Sequence, residues 1–279
     1  MILGLHVSAS GGVDKAPERA KKQTGKSLQI FAGSPRMWRK TTYTAEQGQA
    51  YKEAAKNASI QETFIHVMYL TSYGTADDEH RSKSIDAYIN ALKNCDTLGA
   101  RGAVTHLGSH KGDGFDVALP RIKAALDEVI ASDTKAEVIL ENSAGAGDTI
   151  GSSFEEIAAI IDACDNHERL KVCLDTAHMF TAGYDIRQAG QWEQVMDKFD
   201  KTIGIERLSV LHINDSKVDF GTHKDRHENI GDGYIGLEAF SPIINDERLQ
   251  HISGILEVPG LNEDGPDEAN LDRLRELIK

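Results

Sequence analysis

Eight short apolar runs recur along the chain: Ile2–Val7, Leu28–Phe31, Phe64–Val67, Ala103–Leu107, Val138–Asn142, Val172–Thr176, Leu208–Asn214 and Ile255–Pro259. They are rich in Val, Ile and Leu and nearly continuous, as parallel strands covered on both faces require. Between them the apolar spacing becomes that of amphipathic helices. Ser153-x-x-Glu156 has capping-box form and opens a helix with Ile157, Ile160, Ile161 and Cys164 on one stripe. Thr44-x-x-Gln47 opens another, and the stretch Ser84–Leu98, carrying Ile85, Tyr88, Ile89 and Leu92, stops at Gly99. The strands start roughly 25 to 45 residues apart, enough for one helix in each right-handed crossover. Eight such units predict a (β/α)8 barrel, a single domain over residues 1–279, with a doubly wound open sheet as the alternative. No linker, low-complexity tract or composition break divides the chain.

Metal-ligand residue types stand at the C-terminal ends of six of these strands: His66, His106, Glu141, Asp175, His212 and Glu257, with His178 three residues beyond Asp175. In a barrel that end carries the active site. A lone strand-end carboxylate or imidazole is most often a satisfied core or loop residue. Six together are different, because each costs several kcal/mol to bury unpaired. Carboxylates crowded at one mouth call for cations, and the imidazoles beside them favour zinc or manganese. After the seventh strand, Asp225 and His227 in Asp225-Arg-His-Glu228 can grip one metal; with His178 they give three ligands and an open position. Gly231-Asp-Gly-Tyr-Ile-Gly236 matches the dinucleotide fingerprint G-x-G-x-x-G, but it follows a polar stretch and no βαβ unit surrounds it. It reads as a glycine-rich turn beside the site.

Composition narrows the class. With 40% hydrophobic and 27% charged residues, 25 glycines and 6 prolines, the chain is neither collagen-like nor disordered nor a disulfide scaffold. No window of 18 uncharged apolar residues exists, and the N-terminus lacks the basic start of a signal peptide. Cys95, Cys164 and Cys173 have no CxxC spacing and read as reduced thiols in a cytoplasmic protein. The net charge of −13 argues against bulk attraction to nucleic acid. Residues 1–56, however, hold ten Lys and Arg against four acidic residues, whereas the remainder holds 21 against 40.

The motifs together resemble the endonuclease IV family of apurinic/apyrimidinic DNA repair endonucleases, over essentially the whole chain. The stretches that carry the resemblance are His6-Val-Ser-Ala-Ser-Gly-Gly12, Gln29-Ile-Phe31 with Arg36-Met-Trp38, His66-Val-Met-Tyr-Leu70, His106-Leu-Gly-Ser-His110 and Leu140-Glu-Asn-Ser-Ala-Gly145. They continue with Leu174-Asp-Thr-Ala-His178, His212-Ile-Asn-Asp-Ser-Lys217, Asp225-Arg-His-Glu-Asn-Ile-Gly231 and Leu256-Glu-Val-Pro-Gly260. The resemblance implies a TIM barrel with three zinc ions, manganese being an alternative at one position. His66, His106 and Glu141 would hold the first; Glu141 would bridge to the second, shared by Asp175, His212 and Glu257; His178, Asp225 and His227 would hold the third. Leu107, Ala177 and Val258 stand where the family more often has Pro, Cys and Thr, so no ligand is lost.

The activity implied is hydrolysis of the phosphodiester 5′ of an abasic site in duplex DNA, leaving a 3′-hydroxyl, with removal of 3′-blocking groups as a further activity. Glu141 would be the catalytic carboxylate, orienting the attacking water or taking its proton. Three zinc ions would carry the four ligand carboxylates to a formal +2 and the molecule to about −7. Arg36, Tyr69 and Leu70 would wedge into the duplex, where an abasic nucleotide flips at low cost. Asn214 and Lys217 are further candidates for phosphate contact. A monomer is expected, with no membrane partner. His6, His110 and His223 are left without a role, and His80, His167 and His251 read as ordinary surface or helix residues. Two rivals stand beside this reading. A sugar isomerase or epimerase of the xylose-isomerase-like barrels would use Glu141, Asp175, His212 and Glu257, but has no use for His66, His106, His178, Asp225 and His227. A non-catalytic binder of damaged DNA would keep zinc for structure, in closed four-ligand sites.

Overall fold

The computed structural model describes residues 1–279. Strands β1 (Ile2–His6), β2 (Ser27–Phe31), β3 (Glu62–His66), β4 (Gly102–His106), β5 (Glu137–Glu141), β6 (Leu170–Asp175) and β7 (Leu208–His212) follow one another around a closed parallel barrel. A two-residue antiparallel ribbon comes next, β8 (Asp215–Ser216) with β9 (His227–Glu228), before β10 (Ser253–Leu256) closes the barrel between β7 and β1. Closure excludes the open-sheet alternative. The last barrel strand lies earlier than its apolar run suggests, so Glu257 sits just past its end. No helix is long and apolar enough to cross a membrane.

The helices are α1 (Ala16–Lys22), α2 (Ala45–Ala58), α3 (Asp78–Leu98), α4 (Phe115–Ile130), α5 (Phe154–Ala163), α6 (Thr176–Ala182), α7 (Gln191–Thr202), α8 (Phe240–Ile244) and α9 (Glu268–Arg275). The capping box at Thr44 is complete: its hydroxyl accepts from Gln47 N, and the Gln47 side chain accepts from Thr44 N. At α5 only half of the expected box forms. Ser153 Oγ accepts from Glu156 N, but the Glu156 carboxylate accepts from Gly151 N and Ser152 N instead of Ser153 N. Helix α3 begins six residues before Ser84, capped by Asp77, whose carboxylate accepts from His80 N. Its first turn is polar, so the apolar stripe that marks the helix starts only later.

Strand alternation builds the interior in layers. Phe64, Val104, Ile139, Cys173, Val210 and Ile255, from six strands, form a fully buried apolar plug inside the barrel. A separate cluster of 62 buried residues packs the helices around the outside. Cys173 therefore belongs to the plug; all three cysteines are free, and burial pushes the Cys173 thiol up to about 12. Below the plug, the Arg101 guanidinium joins Glu62 and Glu137, and Ser253 and Ser209 donate to the same two carboxylates. One guanidinium and two hydroxyls thus supply hydrogen-bond donors to both carboxylates at that end.

Candidate metal centre

Two residues beyond each plug residue the strand presents its next inward side chain, toward the C-terminal end. Those side chains are His66, His106, Glu141, Asp175, His212 and Glu257. Period-two alternation thus converts six apolar positions into six polar ones directly above. The register aligns neighbours at one level: His106 with Glu141 and Asp175 with His212. The two remaining strands add His6 and Gln29, which are also paired in register.

Glu141 is fully buried at the centre. Its Oε2 lies 3.1 Å from His66 Nε2 and 3.4 Å from His106 Nδ1. Its Oε1 lies 3.2 Å from His212 Nδ1 and 3.4 Å from His178 Nδ1. His212 Nδ1 is also 3.3 Å from Glu257 Oε2 and 3.9 Å from Asp175 Oδ2. Burial pushes the Glu141 carboxyl up, but the surrounding imidazoles, His106 and His212 foremost, hold it well below the usual carboxylate range. Burial disfavours charge on His66, His178 and His212, yet the acidic groups around them carry His178 and His212 well above the ordinary histidine value, and Glu141 raises His66. His106 and His6 lie below that value because burial dominates there. Burial pushes Glu257 and, despite its half-exposed side chain, Asp225 up, but histidine contacts, His212 and His178 respectively, hold both low.

The third group sits toward the rim. Helix α6 starts at the end of β6, and Asp175 Oδ1 caps it by accepting from His178 N, which fixes His178 beside the carboxylate. His178 Nε2 and His227 Nε2 each lie 3.3 Å from Oδ1 of the half-exposed Asp225, and His227 Nε2 is 3.5 Å from Asp175 Oδ2. Both nitrogens are buried, and neither makes a hydrogen bond. Buried polar atoms are rarely left so. Two imidazole nitrogens converging on a carboxylate without hydrogen-bond alignment are what a shared cation requires.

The outer nitrogens support the same fit. His66 Nδ1 is 2.7 Å from Val67 O, His178 Nδ1 3.0 Å from Asn142 O, and His212 Nε2 3.0 Å from Gln29 Oε1. A ring N–H donated outward leaves the other nitrogen's lone pair facing the carboxylates, the arrangement of metal-ligating histidines. Four groups of side chains have ligand atoms within 4.8 Å of one another: His66, His106 and Glu141; Glu141, Asp175, His212 and Glu257; Asp175, His178 and His227; and Glu141, Cys173 and His212. The donor set, imidazole nitrogen with carboxylate oxygen, suits zinc or manganese. The nine residues singled out in the sequence thus lie together, with Asp225 joined through its contacts to His178 and His227.

Several supporting residues carried no clear sequence signal. Gln29 Nε2 donates to Glu257 Oε1 at 2.7 Å, and His6 Nδ1 lies 3.1 Å from the same oxygen. Asn214, expected to touch phosphate, is fully buried instead. Its Nδ2 donates to Asp175 Oδ2, its Oδ1 accepts from Glu257 N, and its carbonyl accepts from Thr176 Oγ1. It ties three strand ends together and has no group free for DNA. Lys217 is exposed, with Glu228 3.8 Å away. His80 is also more than an ordinary helix residue: its Nε2 is 2.6 Å from Leu70 O, and its ring meets Trp38 edge-on.

Arg36, Tyr69 and Leu70 lie on two neighbouring loops at this face. Tyr69 N donates to Pro35 O, beside the exposed Arg36. Tyr69 is half exposed, with its ring 5.6 Å from that of His66 and 5.8 Å from that of His106. It stands between two clefts. One, of about 780 Å³, is lined by His6, Phe31, Pro35, Tyr43 and Glu257. The other, of about 360 Å³, is lined by His106, Ser143, His178 and Asp225.

Comparison with known proteins agrees with this architecture. Residues 18–279 match the family described as xylose isomerase-like TIM barrel. A protein of Geotalea daltonii named "Probable endonuclease 4" is 39% identical over 279 residues, covering 99% of this chain and 98% of its own. A protein of Natronomonas pharaonis with the same name is 38% identical over 278 residues, with 99% and 98% covered. The crystal structure of endonuclease IV from Thermus thermophilus superposes with a TM-score of 0.86 at 31% identity, covering 99% of this chain and 98% of that one. A D-tagatose 3-epimerase-like protein has a TM-score of 0.75 at 17% identity, with 99% of this chain and 97% of that one covered, and shares the fold alone. This chain belongs to the endonuclease IV family of the xylose isomerase-like TIM barrels.

Proposed function

We propose that the protein is a zinc-dependent endonuclease that cuts the phosphodiester 5′ of an abasic site in duplex DNA, leaving a 3′-hydroxyl, and that it also clears blocked 3′ ends. The observation that carries this reading is the convergence of the unpartnered His178 and His227 nitrogens on Asp225, next to the Glu141 cluster. In this reading His66, His106 and Glu141 would hold one zinc, and Asp175, His212 and Glu257, together with Glu141, would hold a second. His178, Asp225 and His227 hold a third. Zinc bound there supplies Lewis acidity, which activates water at neutral pH and stabilises charge on the phosphodiester oxygens.

The chain's own side chains do the rest. Glu141 is fully buried among four imidazoles, where a carboxylate orients the attacking water or takes its proton. Gln29 and His6 hold Glu257, and Asn214 holds Asp175, so both carboxylates keep one orientation. A site of net positive charge in an acidic protein draws the DNA backbone locally, assisted by the basic segment 1–56. Tyr69 and Leu70 fill the gap left by the flipped nucleotide, and Arg36 meets the backbone beside it. The clefts on either side of Tyr69 give the duplex room on both flanks. The chain acts as one monomeric unit.

The test is one preparation assayed for metal and for cleavage. About three metals per chain are expected, with nicking of a duplex carrying a single tetrahydrofuran abasic analogue and no magnesium added. Polymerase extension of the nicked strand checks for the 3′-hydroxyl. Two metals with turnover of an aldose or ketose would select the epimerase; tight damage binding without nicking would select a binding protein. In the same assay Tyr69→Ala is expected to raise KM for the abasic duplex about tenfold, since an aromatic–base contact contributes about 1–3 kcal/mol. An unchanged KM removes Tyr69 from the wedge.

A further inference from the structure

The loop that carries Asp225 and His227 leaves the barrel after β7, forms the ribbon β8–β9 and returns through the glycine-rich stretch 231–236. In the ribbon, Ser216 is opposite His227 and Asp215 opposite Glu228, and Lys217 N donates to Arg226 O at 2.9 Å. His178 is held independently by Asn142 and the start of α6. The other two members of the third group thus depend on how this arm is attached.

At its base lies a fully buried carboxylate, Asp215, which the metal-centre reading does not use. Its Oδ1 accepts from Ser216 N at 2.7 Å and Ile235 N at 2.9 Å. Its Oδ2 accepts from Gly231 N at 2.9 Å, Gly233 N at 3.1 Å and Gly236 N at 3.2 Å. Five backbone donors close on one internal anion. The glycines follow from this geometry. Gly231 and Gly236 have φ of +85° and +82°, which a side chain disfavours. A Cβ on Gly233 would collide with the Asp215 carboxylate and the Ser216 carbonyl. The G-x-G-x-x-G spacing is thus a real anion cradle, filled by the chain's own aspartate where a dinucleotide loop would take phosphate.

We infer that Asp215 is a positioning residue that latches the 217–236 arm onto the barrel mouth and so sets Asp225 and His227 against His178. This rests on the proposal that those three side chains bind a metal. The charge matters as well as the shape. An Asn at this position would turn an NH2 toward at least two backbone N–H groups, leaving buried donors facing each other. Loss of the latch would loosen the arm at its base, although Gly221 and His223 still bond to α6 and Ile230 to Asn270, while leaving His66, His106, Glu141 and His212 on their strands.

The experiment uses the full-length protein, as purified and after chelation, with Asp215→Asn and Gly233→Ala, which disturb the cradle from opposite sides. Hydrogen exchange is read first. Amides of residues 217–236 are expected to lose protection about tenfold or more in both variants, with strands β3–β6 unchanged. After dialysis against zinc, the count is expected to fall by one per chain, and kcat for nicking to fall about 100-fold with KM little changed. Unaltered arm exchange in the variants overturns the latch. So does uniform loss of protection across the barrel strands in both, which would make Asp215 a general core residue. If wild type binds no zinc at the third group, the metal reading fails, and the exchange data still decide whether Asp215 holds the arm.

Discussion

Replacing Glu141 by Gln is expected to abolish nicking, with kcat lower by about 10³-fold or more, in a protein that still folds. The two oxygens of Glu141 serve different partners: Oε2 faces His66 and His106, and Oε1 faces His178 and His212. A carboxamide keeps the shape but offers only one oxygen. Whichever way it turns, one pair of imidazoles meets an NH2 that neither binds a cation nor accepts a proton. The substitution also removes one of the charges that make the mouth a cation site. The fold is spared because the apolar plug lies below this layer and the outer core surrounds the barrel. The measurement pairs single-turnover nicking with zinc counts and thermal melting. A folded Glu141→Gln protein that cuts at the wild-type rate would refute the role assigned to this carboxylate.

What could be read from the chain was the nearly continuous apolar run of each strand and the metal-ligand type at its end; the structure adds the alternation that separates the plug from the site. Within each strand the plug residue and the metal-ligand type two positions later are both visible, as in Ile139 and Glu141 or Val210 and His212. Strand, helix and site end follow from that pattern. His6 and Gln29 occupy the same layer on β1 and β2, but Gly4 and Ser27 rather than a plug residue stand two positions before them, and a glutamine among apolar neighbours has no chemistry that singles it out. Asn214 misled because an amide can face either phosphate or carboxylate, and only the packing of three strand ends decides. The role of Asp215 was hidden for a related reason: the cradle closes between residues 16 to 21 positions apart, through backbone donors whose directions no residue type reveals. His80 acts on Leu70 through one hydrogen bond across a turn, equally invisible to periodicity.

Zinc is expected to stabilise the protein more at about pH 8 than at about pH 6, because protons and metal compete for the same nitrogens. The sign follows from the groups of the metal-free site. Burial opposes charge on His178 and His212, but Asp175 and Asp225 beside the first, and Cys173 with the Glu257 and Glu141 carboxylates beside the second, raise both well above 6.5. A raised folded value means that their contribution is complete below 6.5 and is lost as pH rises through that higher value. Glu141 is held well below 4.5, with Glu257 and Asp225 also low, so their contribution is present above the ordinary carboxylate range and is lost as pH falls through the lowered values. From this cluster, metal-free protein is therefore steadiest between about pH 4.5 and 6.5 and weakens above it. His6 and His106, held low by burial, pull the other way, but they bind few protons above 6.5 and so release few to zinc. Each proton displaced makes zinc affinity rise about tenfold per pH unit, or about 1.4 kcal/mol of added stabilisation. Across two pH units this amounts to a gain of several degrees in melting temperature. Melting curves with and without zinc, taken from about pH 6 to 8, measure it directly; a zinc-induced shift that is flat or shrinks with pH would mean that the imidazoles of this mouth do not bind the metal.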